Sequence, residues 1–329
     1  MSVDNRELVE KIALSTTKGV HAEIVRRMEE VGIGTRDFFE MPSLELCDRL
    51  GISRSTMFSR QSRDEAYHEA WEEVEFVKRH NIRCLYFGDE AYPDRLRECY
   101  DAPVMLYALG DADLDAEHMM SVVGTRKATQ YGATFTHSLV KDLGESLCGN
   151  LTVVSGLAYG IDALAHSASL ECGLPTVAVL AHGLNMIYPA AHRDLAQRIV
   201  KSGGALVTEY TSKQKALRPH FLERNRVVAG LCDVTIVAES DIKGGAMSTA
   251  QRALDYNREV MALPGRINDE MSRGCNHLIR KQKASLIGSP ADVMELMSWM
   301  PADVVVSPRQ RVLFPDLTDE EKPVYDLLR

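Results

Sequence analysis

Three glycine-containing turns in the middle of the chain carry residue types that bind phosphate. The first, Gly124-Thr125-Arg126, follows an apolar run; its glycine lets the backbone approach an anion, and its arginine presents a planar fork of donors that fits phosphate. The second, Ser155-Gly156, adds a hydroxyl donor, and the third, Lys243-Gly244-Gly245, adds an ammonium group. Each turn leads into a helical segment, whose free N–H groups favour negative charge. We therefore predict a phosphate-binding site built from these turns.

A fourth segment combines an aromatic residue with two arginines. Phe221 precedes Arg224-Asn225-Arg226 where a helix is predicted to begin. Arginines hold phosphates while an aromatic face stacks a base, and proteins bind single-stranded nucleic acid in this way. The alternative is that the arginines pair with surface carboxylates. The combination of all three residue types favours contacts to an unpaired strand.

Patterns that would indicate other chemistry are missing from the sequence. The first turn is not Gly-x-Gly-x-x-Gly, and no Gly-Lys-Ser/Thr follows the third, so we expect neither a bound cofactor nor ATP hydrolysis. The histidines and cysteines form no ligand cluster, which predicts no metal site. Asp162 and His166, one helical turn apart, could exchange a proton, but a structural role is favoured because the sequence places no nucleophile beside them. We expect a binding protein without catalytic residues.

The turns need a sheet to position them. Between residues 82 and 300, apolar runs alternate with helical segments, which indicates a mainly parallel sheet covered on both faces. Ligands bind such sheets at the carboxyl ends of the strands, where the glycine turns lie. The predicted fold is therefore α/β, a Rossmann-like, doubly wound, mainly parallel sheet. The strand-like runs are Cys84–Phe87, Met105–Leu109, Ser121–Val123, Thr152–Val154, Val177–Leu180, Ala205–Val207, Val234–Ala238, Val260–Leu263 and Ser285–Ile287.

The segments that flank this domain differ from it in pattern. Residues 1–60 are predicted as a small helical module, 61–81 as an acidic connecting helix, and 301–329 as a linker that leads into a capped helix. In the module, short helices surround the turn Lys18-Gly19-Val20. This arrangement fits a helix-hairpin-helix or SAM-like module that grips a DNA backbone, and it fits a simple packing domain equally well.

Composition sets limits on partners and compartment. The net charge of −9 argues against non-specific wrapping of nucleic acid, so a DNA site must be a local basic patch. No apolar run reaches the ~18 residues of a membrane span, and the acidic N-terminus is not a signal peptide. The seven cysteines are scattered without a Cys-x-x-Cys pair, which is typical of reduced, buried thiols. These features predict a cytoplasmic protein with no membrane partner.

In this order and spacing, the segments resemble the DNA-processing DprA/Smf family. The resemblance covers about residues 80–290 and includes Tyr92-Pro93, Leu96, Pro103, Gly183 and Tyr188-Pro189. It implies a Rossmann-like homodimer that binds single-stranded DNA. It also implies that the protein delivers incoming DNA to a RecA-type recombinase during natural transformation.

The resemblance further implies roles for particular residues and segments. Arg126 and the segment Arg224-Asn225-Arg226 would lie on the DNA-binding face, with Phe221 as the aromatic residue. Residues 1–60 would correspond to the family's variable N-terminal module, and residues 301–329 would begin a winged-helix domain.

Three positions depart from the family pattern. Leu222 stands where proline is usual, and Asn257 and Lys283 stand where glycine is usual. These departures put the local turns in question.

The main alternative is a lysine-decarboxylase-like nucleoside-monophosphate phosphoribohydrolase, which shares a Rossmann-like sheet. Such enzymes resemble a Pro-Gly-Gly-x-Gly-Thr pattern with a glutamate three residues on. Here no carboxylate occurs in residues 250–253, after Thr249. Cleavage of an N-glycosidic bond needs an acid or base near the sugar, so the sequence disfavours this alternative. A dinucleotide-binding scaffold without a DNA role is disfavoured by the missing fingerprint.

Overall fold

The computed structural model of the protein describes residues 3–53 and 58–301, and a mixed sheet forms its centre. Its strands are β1 (Arg83–Tyr86), β2 (Met105–Gly110), β3 (Met119–Gly124), β4 (Thr152–Ser155), β5 (Thr176–Val179), β6 (Ala205–Thr208), β7 (Val234–Glu239), β8 (Glu259–Ala262) and β9 (Ser285–Leu286). They lie in the order β1-β2-β6-β5-β4-β3-β7-β8-β9, and only the β1–β2 and β2–β6 pairs are antiparallel. Each predicted run coincides with one strand to within two residues.

Helices cover both faces of the sheet, as continuous burial of the strands requires. In the part of the chain that the structure describes, they are α1 (Val3–Thr16), α2 (Ala22–Glu30), α3 (Thr35–Glu40), α4 (Ser43–Leu50), α5 (Arg60–Arg79), α6 (Asp94–Arg97), α7 (Gln130–Ser146), α8 (Ile161–Glu171), α9 (Arg193–Lys201), α10 (Arg218–Gly230), α11 (Gly245–Asp255), α12 (Arg273–Arg280) and α13 (Pro290–Met297). Val122 belongs to the core that contains residues of α7 and α8. Val123, the next residue, belongs to the core that contains residues of α10 and α11. The predicted doubly wound, Rossmann-like fold is confirmed.

The N-terminal helices pack against the β1-β2-β6 side of the sheet. Phe38 and Leu46 share one hydrophobic core with Leu106 of β2. The carboxylate of Glu73, on α5, accepts hydrogen bonds from the backbone N–H of Ser212 at 2.9 and 3.0 Å and from the Ser212 hydroxyl. The predicted boundaries at residues 60 and 81 stay predictions. The predicted linker and winged-helix start fall, from residue 302 onward, outside the described residues.

The chain reverses its direction of winding beside β3. From β3 to β6 each new strand is added on one side, whereas β7, β8 and β9 are added on the other side. The loops after β3 and β7 therefore diverge and leave a crevice between them at the carboxyl ends of the strands. The first and third phosphate-binding turns of the sequence lie at this crevice.

Candidate nucleic-acid interface

A cleft of about 320 Å³ opens at the carboxyl ends of β3, β4 and β7. Most of the predicted contact residues line this cleft. Because Arg126 and Arg224 are both among them, the two arginines lie at the same edge of the sheet. The predicted residues that line the cleft are Gly124, Thr125, Arg126, Gly156, Phe221, Arg224, Asn225, Gly244 and Gly245.

The loops after β3 and β4 are packed into one another. Gly160 has φ +76°, and a Cβ atom there would lie 2.2 Å from the carbonyl oxygen of Thr125. The same carbonyl accepts a hydrogen bond from the N–H of Ile161 at 3.2 Å, while the N–H of Thr125 donates to Glu239 at the end of β7 at 2.7 Å. The loops of three strands are thereby joined, so the first turn has a defined position at the mouth of the cleft.

Arg224 forms the buried floor of the cleft. Only 5% of its surface is exposed, and its Nη1 donates to the carbonyl oxygens of Gly156, at 2.7 Å, and Val179. Gly156 lets the guanidinium approach, because a Cβ atom there would lie 2.5 Å from both terminal nitrogens. Burial lowers the pKa of Arg224, and the nearby charge of Asp162 opposes that change. This arginine gives the cleft shape and positive charge; that it touches phosphate stays a prediction.

Arg126 lies at the opposite, exposed end of the site. Its guanidinium carbon is 5.8 Å from the ring centre of Phe221, so cation and aromatic face are adjacent. Within residues 3–53 and 58–301, no carboxylate forms an ion pair with Arg126, Lys127 or Lys243. The mouth of the cleft therefore carries positive charge that the described part of the molecule does not neutralise.

Three residues that the sequence analysis predicts as DNA contacts do not line the cleft. Ser155 is fully buried and its hydroxyl donates to the carbonyl of Val122 at 2.7 Å, so the prediction that it donates to phosphate is wrong. Arg226 pairs with Glu209 away from the cleft, as the alternative interpretation of the arginines required. Lys243 is exposed on the loop beside the cleft but is not part of its lining.

Tyr188 is a residue near the site that the sequence analysis noted without giving it a role. Its ring is 47% exposed and makes an edge contact with Phe221, with 5.5 Å between ring centres. The signal that could have found it is its place after the apolar run of β5, since the carboxyl ends of parallel strands share one edge of the sheet.

Asp162 and His166 each contact other groups of the protein. Asp162 accepts hydrogen bonds from the N–H groups of Gly156 and Ala158 at 3.2 and 3.3 Å. The Thr176 hydroxyl donates to a backbone carbonyl, so His166 must donate to it from Nδ1, at 2.7 Å. Nε2 of His166 is then unprotonated, and it is buried without a partner among the described residues. Burial, together with the charge of Arg224, lowers the pKa of His166 to about 3.

Because of this shift, His166 makes the protein less stable in acid. Below about pH 6.5 the unfolded chain binds a proton at this imidazole that the folded protein does not bind until about pH 3. In that interval we expect this group to lower the free energy of unfolding by about 1.4 kcal/mol per pH unit. Urea unfolding of His166→Gln at pH 7, 6 and 5 should show a pH dependence shallower by about one proton. His137→Gln, which removes an exposed imidazole, is the control, and an unchanged pH dependence in His166→Gln would contradict the assignment.

The fold and the cleft define the class: a Rossmann-like protein with a cleft lined by glycines and arginines at the switch point of its sheet. The sequence pattern of the family described as DNA recombination-mediator protein A matches residues 83–298. The chain therefore belongs to the DNA recombination-mediator protein A family, a family of DNA-processing proteins, and the resemblance to DprA/Smf is confirmed.

Individual relatives agree with this assignment. The chain is 40% identical to the DNA processing protein DprA of Streptococcus pneumoniae over 206 residues, which are 63% of this chain and 71% of the relative. It is 35% identical to Protein Smf of Escherichia coli over 257 residues, 77% and 67% of the two chains.

Two solved structures share the fold. The X-ray structure of DprA from S. pneumoniae matches with a TM-score of 0.71 and 33% identity over 90% of this chain and 98% of that chain. DprA from Helicobacter pylori, whose structure is described as showing a single-stranded DNA binding mode, matches with a TM-score of 0.59 and 30% identity over 66% and 95%. In the described part of this chain, no helix has the length and apolar character needed to cross a membrane.

Proposed function

We propose that this protein binds single-stranded DNA across the mouth of the cleft, as a homodimer in the cytoplasm, and loads a RecA-type recombinase during natural transformation. The observation that carries the DNA-binding part is the contact between the exposed Arg126 and the ring of Phe221. Arg126 binds phosphate and Phe221 stacks a base, and the two groups are close enough to contact the same nucleotide.

The arrangement favours an unpaired strand over a duplex. In a duplex the base faces are stacked on each other, so a single aromatic ring at the rim of a cleft has no base face to contact. In a single strand the bases can turn out onto the ring while phosphates meet the arginine and the glycine-turn N–H groups. The structure of the H. pylori relative, described by its single-stranded DNA binding mode, supports the same choice.

The carboxylates at the cleft are engaged in ways that support binding without catalysis. Asp162 accepts hydrogen bonds from the loop backbone, and Asp241 pairs with Arg273 at 3.1 Å. Both carboxylates line the cleft, but acid or base chemistry on a sugar would need one that is free to reach the substrate. We accordingly expect no release of base from nucleoside monophosphates by the purified protein. The homodimer and the recombinase rest on the family resemblance.

Loss of the Arg126 side chain should weaken binding strongly. We expect Arg126→Ala to raise the Kd for oligo-dT about 10-fold or more, because a charge-assisted hydrogen bond to phosphate contributes about 1.5–3 kcal/mol. The slope of log K against log salt should fall by about 0.7, the value for one phosphate contact on a single strand. A gel-shift titration at two or more salt concentrations measures both quantities.

The control for Arg126→Ala is Arg198→Ala, which removes the same charge from an exposed position on α9. Equal affinities of the two variants would exclude the proposed site. Failure of the wild type to bind oligo-dT at low salt would exclude the proposed function altogether.

A further inference from the structure

Two loops next to the cleft contain no acidic residue, although the chain has 47 acids and a net charge of −9. They are residues 172–193, which include β5 and the loop after it, and residues 210–222, which lead from β6 into α10. The loops touch each other, since the N–H of Gly183 donates to the carbonyl of Gln214 at 3.0 Å. Together they form a surface on one side of Phe221, called the acid-free surface here because neither segment contributes an acid to it. At its edges, Glu72 pairs with Lys213 at 2.6 Å and Glu223 accepts a hydrogen bond from the Tyr210 hydroxyl at 3.0 Å.

Exposed aromatic rings and cations lie on this acid-free surface. Tyr188 is 47% exposed, and its ring lies against Phe221 at an angle of 64°. Arg193 and Arg218 are exposed within the same two loops. Further along, Tyr159 is 48% exposed, and its ring centre is 4.8 Å from that of His192. Aromatic faces and cations therefore continue beyond the cleft in this direction.

The other side of the cleft carries carboxylates. Asp241 follows β7, and Asp269 and Glu270 follow β8. Arg273 is paired with Asp241 at 3.1 Å and with Glu270 at 2.9 Å, whereas the exposed Lys243 and Arg266 on this side form no ion pair among the described residues. A polyanion that leaves the cleft on this side meets carboxylates as well as cations, whereas the two acid-free segments present cations without carboxylates of their own, so we take the acid-free side as the path.

We infer that Tyr188 stacks a second base beside the one on Phe221, and that the strand leaves the cleft over residues 172–193. This inference rests on the proposed function. The two ring centres are 5.5 Å apart and the rings are steeply tilted, whereas stacked bases are 3.4 Å apart and parallel. Each ring therefore offers a separate face, and the two bases are held unstacked from each other.

The test is a comparison of two tyrosines of equal exposure on opposite sides of the cleft. Tyr188→Ala should weaken binding of oligo-dT about 5- to 100-fold, the range expected for the loss of one base–aromatic stack. Tyr188→Phe should stay within about twofold of wild type, since the phenyl ring still stacks. Tyr131, 50% exposed with its hydroxyl on the Pro264 carbonyl, is the matched control, and Tyr131→Ala should bind like wild type.

A second measurement separates stacking by Tyr188 from mere support of Phe221. The shortest oligo-dT that binds with full affinity fixes the register, and single abasic sites are then placed at successive positions. Wild type should show two sensitive positions. Tyr188→Ala should lose the sensitivity at one position, and Phe221→Ala should lose it at the other.

The outcomes distinguish this inference from the proposed function. If wild type binds oligo-dT and Arg126→Ala weakens binding, but Tyr188→Ala and Tyr131→Ala have the same affinity, the path over Tyr188 is wrong and the proposed function stands. If Tyr188→Ala and Phe221→Ala abolish sensitivity at the same single position, Tyr188 only supports Phe221 and the inference is overturned. If wild type binds no oligonucleotide, both are overturned.

Discussion

Replacement of Arg224 by alanine should lower the free energy of unfolding by about 3–5 kcal/mol, the range for removal of one member of a buried charged group. The carbonyl oxygens of Gly156 and Val179 would lose their donor. The buried carboxylate of Asp162 would lose its neighbouring cation, whose charge opposes the upward shift that burial causes in the Asp162 pKa. Because Arg224 is only 5% exposed, we expect no water molecule to replace these interactions.

Urea unfolding at pH 7 measures this loss. Arg218→Ala is the matched control, because Arg218 begins the same helix but is exposed, and a change within about 0.5 kcal/mol is expected there. A loss below 1 kcal/mol in Arg224→Ala would show that the guanidinium does not hold the cleft floor.

Gly160→Ala should have the second large effect, and it should affect both stability and DNA binding. A residue with a side chain is strained at φ +76°, by about 1–3 kcal/mol, and the new Cβ atom would lie 2.2 Å from the Thr125 carbonyl. Overpacking of this kind adds about 1–3 kcal/mol. The β3 loop must move to relieve the clash, and Arg126 moves with it, so the affinity for oligo-dT should fall about 10-fold or more, as for loss of the Arg126 contact.

Gly203→Ala separates backbone strain from the clash. Gly203 has φ +78°, but a Cβ atom there has no atom within 4 Å. Its substitution should cost only about 1–2 kcal/mol and leave the DNA affinity unchanged. Thermal unfolding and gel shift on both variants make the comparison, and equal losses for the two glycines would contradict the packing of the β3 and β4 loops.

The strands could be predicted because burial on both faces leaves uninterrupted apolar runs, as in Val234–Glu239. The direction of individual side chains could not. Burial on both faces removes the alternation that would show which way Ser155 points, so the sequence does not reveal that its hydroxyl faces the core. The prediction for Arg226 failed for another reason. Residues two apart on a helix point about 200° apart, so Arg224 and Arg226 of α10 cannot both face the cleft.

The departures from the family pattern illustrate how local geometry tolerates substitution. Asn257, where glycine is usual, has φ +56°, and asparagine is among the residues that adopt this conformation most readily. Near Lys283 the positive φ belongs to the preceding residue, Gln282, at +55°. Leu222, where proline is usual, is 58% exposed and lines the cleft.

The hydrogen bonds between Glu73 and Ser212 mean that a helix before the first strand positions part of the proposed binding surface. Ser212 lies in the acid-free segment that leads to Phe221, and its anchor is a buried carboxylate on α5. In a chimera of this sheet with the N-terminal helices of a relative, different contacts would hold the loop that contains Ser212. Helix α5 thus supports the segment that leads to Phe221, and a substitution at Glu73 would act on the proposed site from a distance.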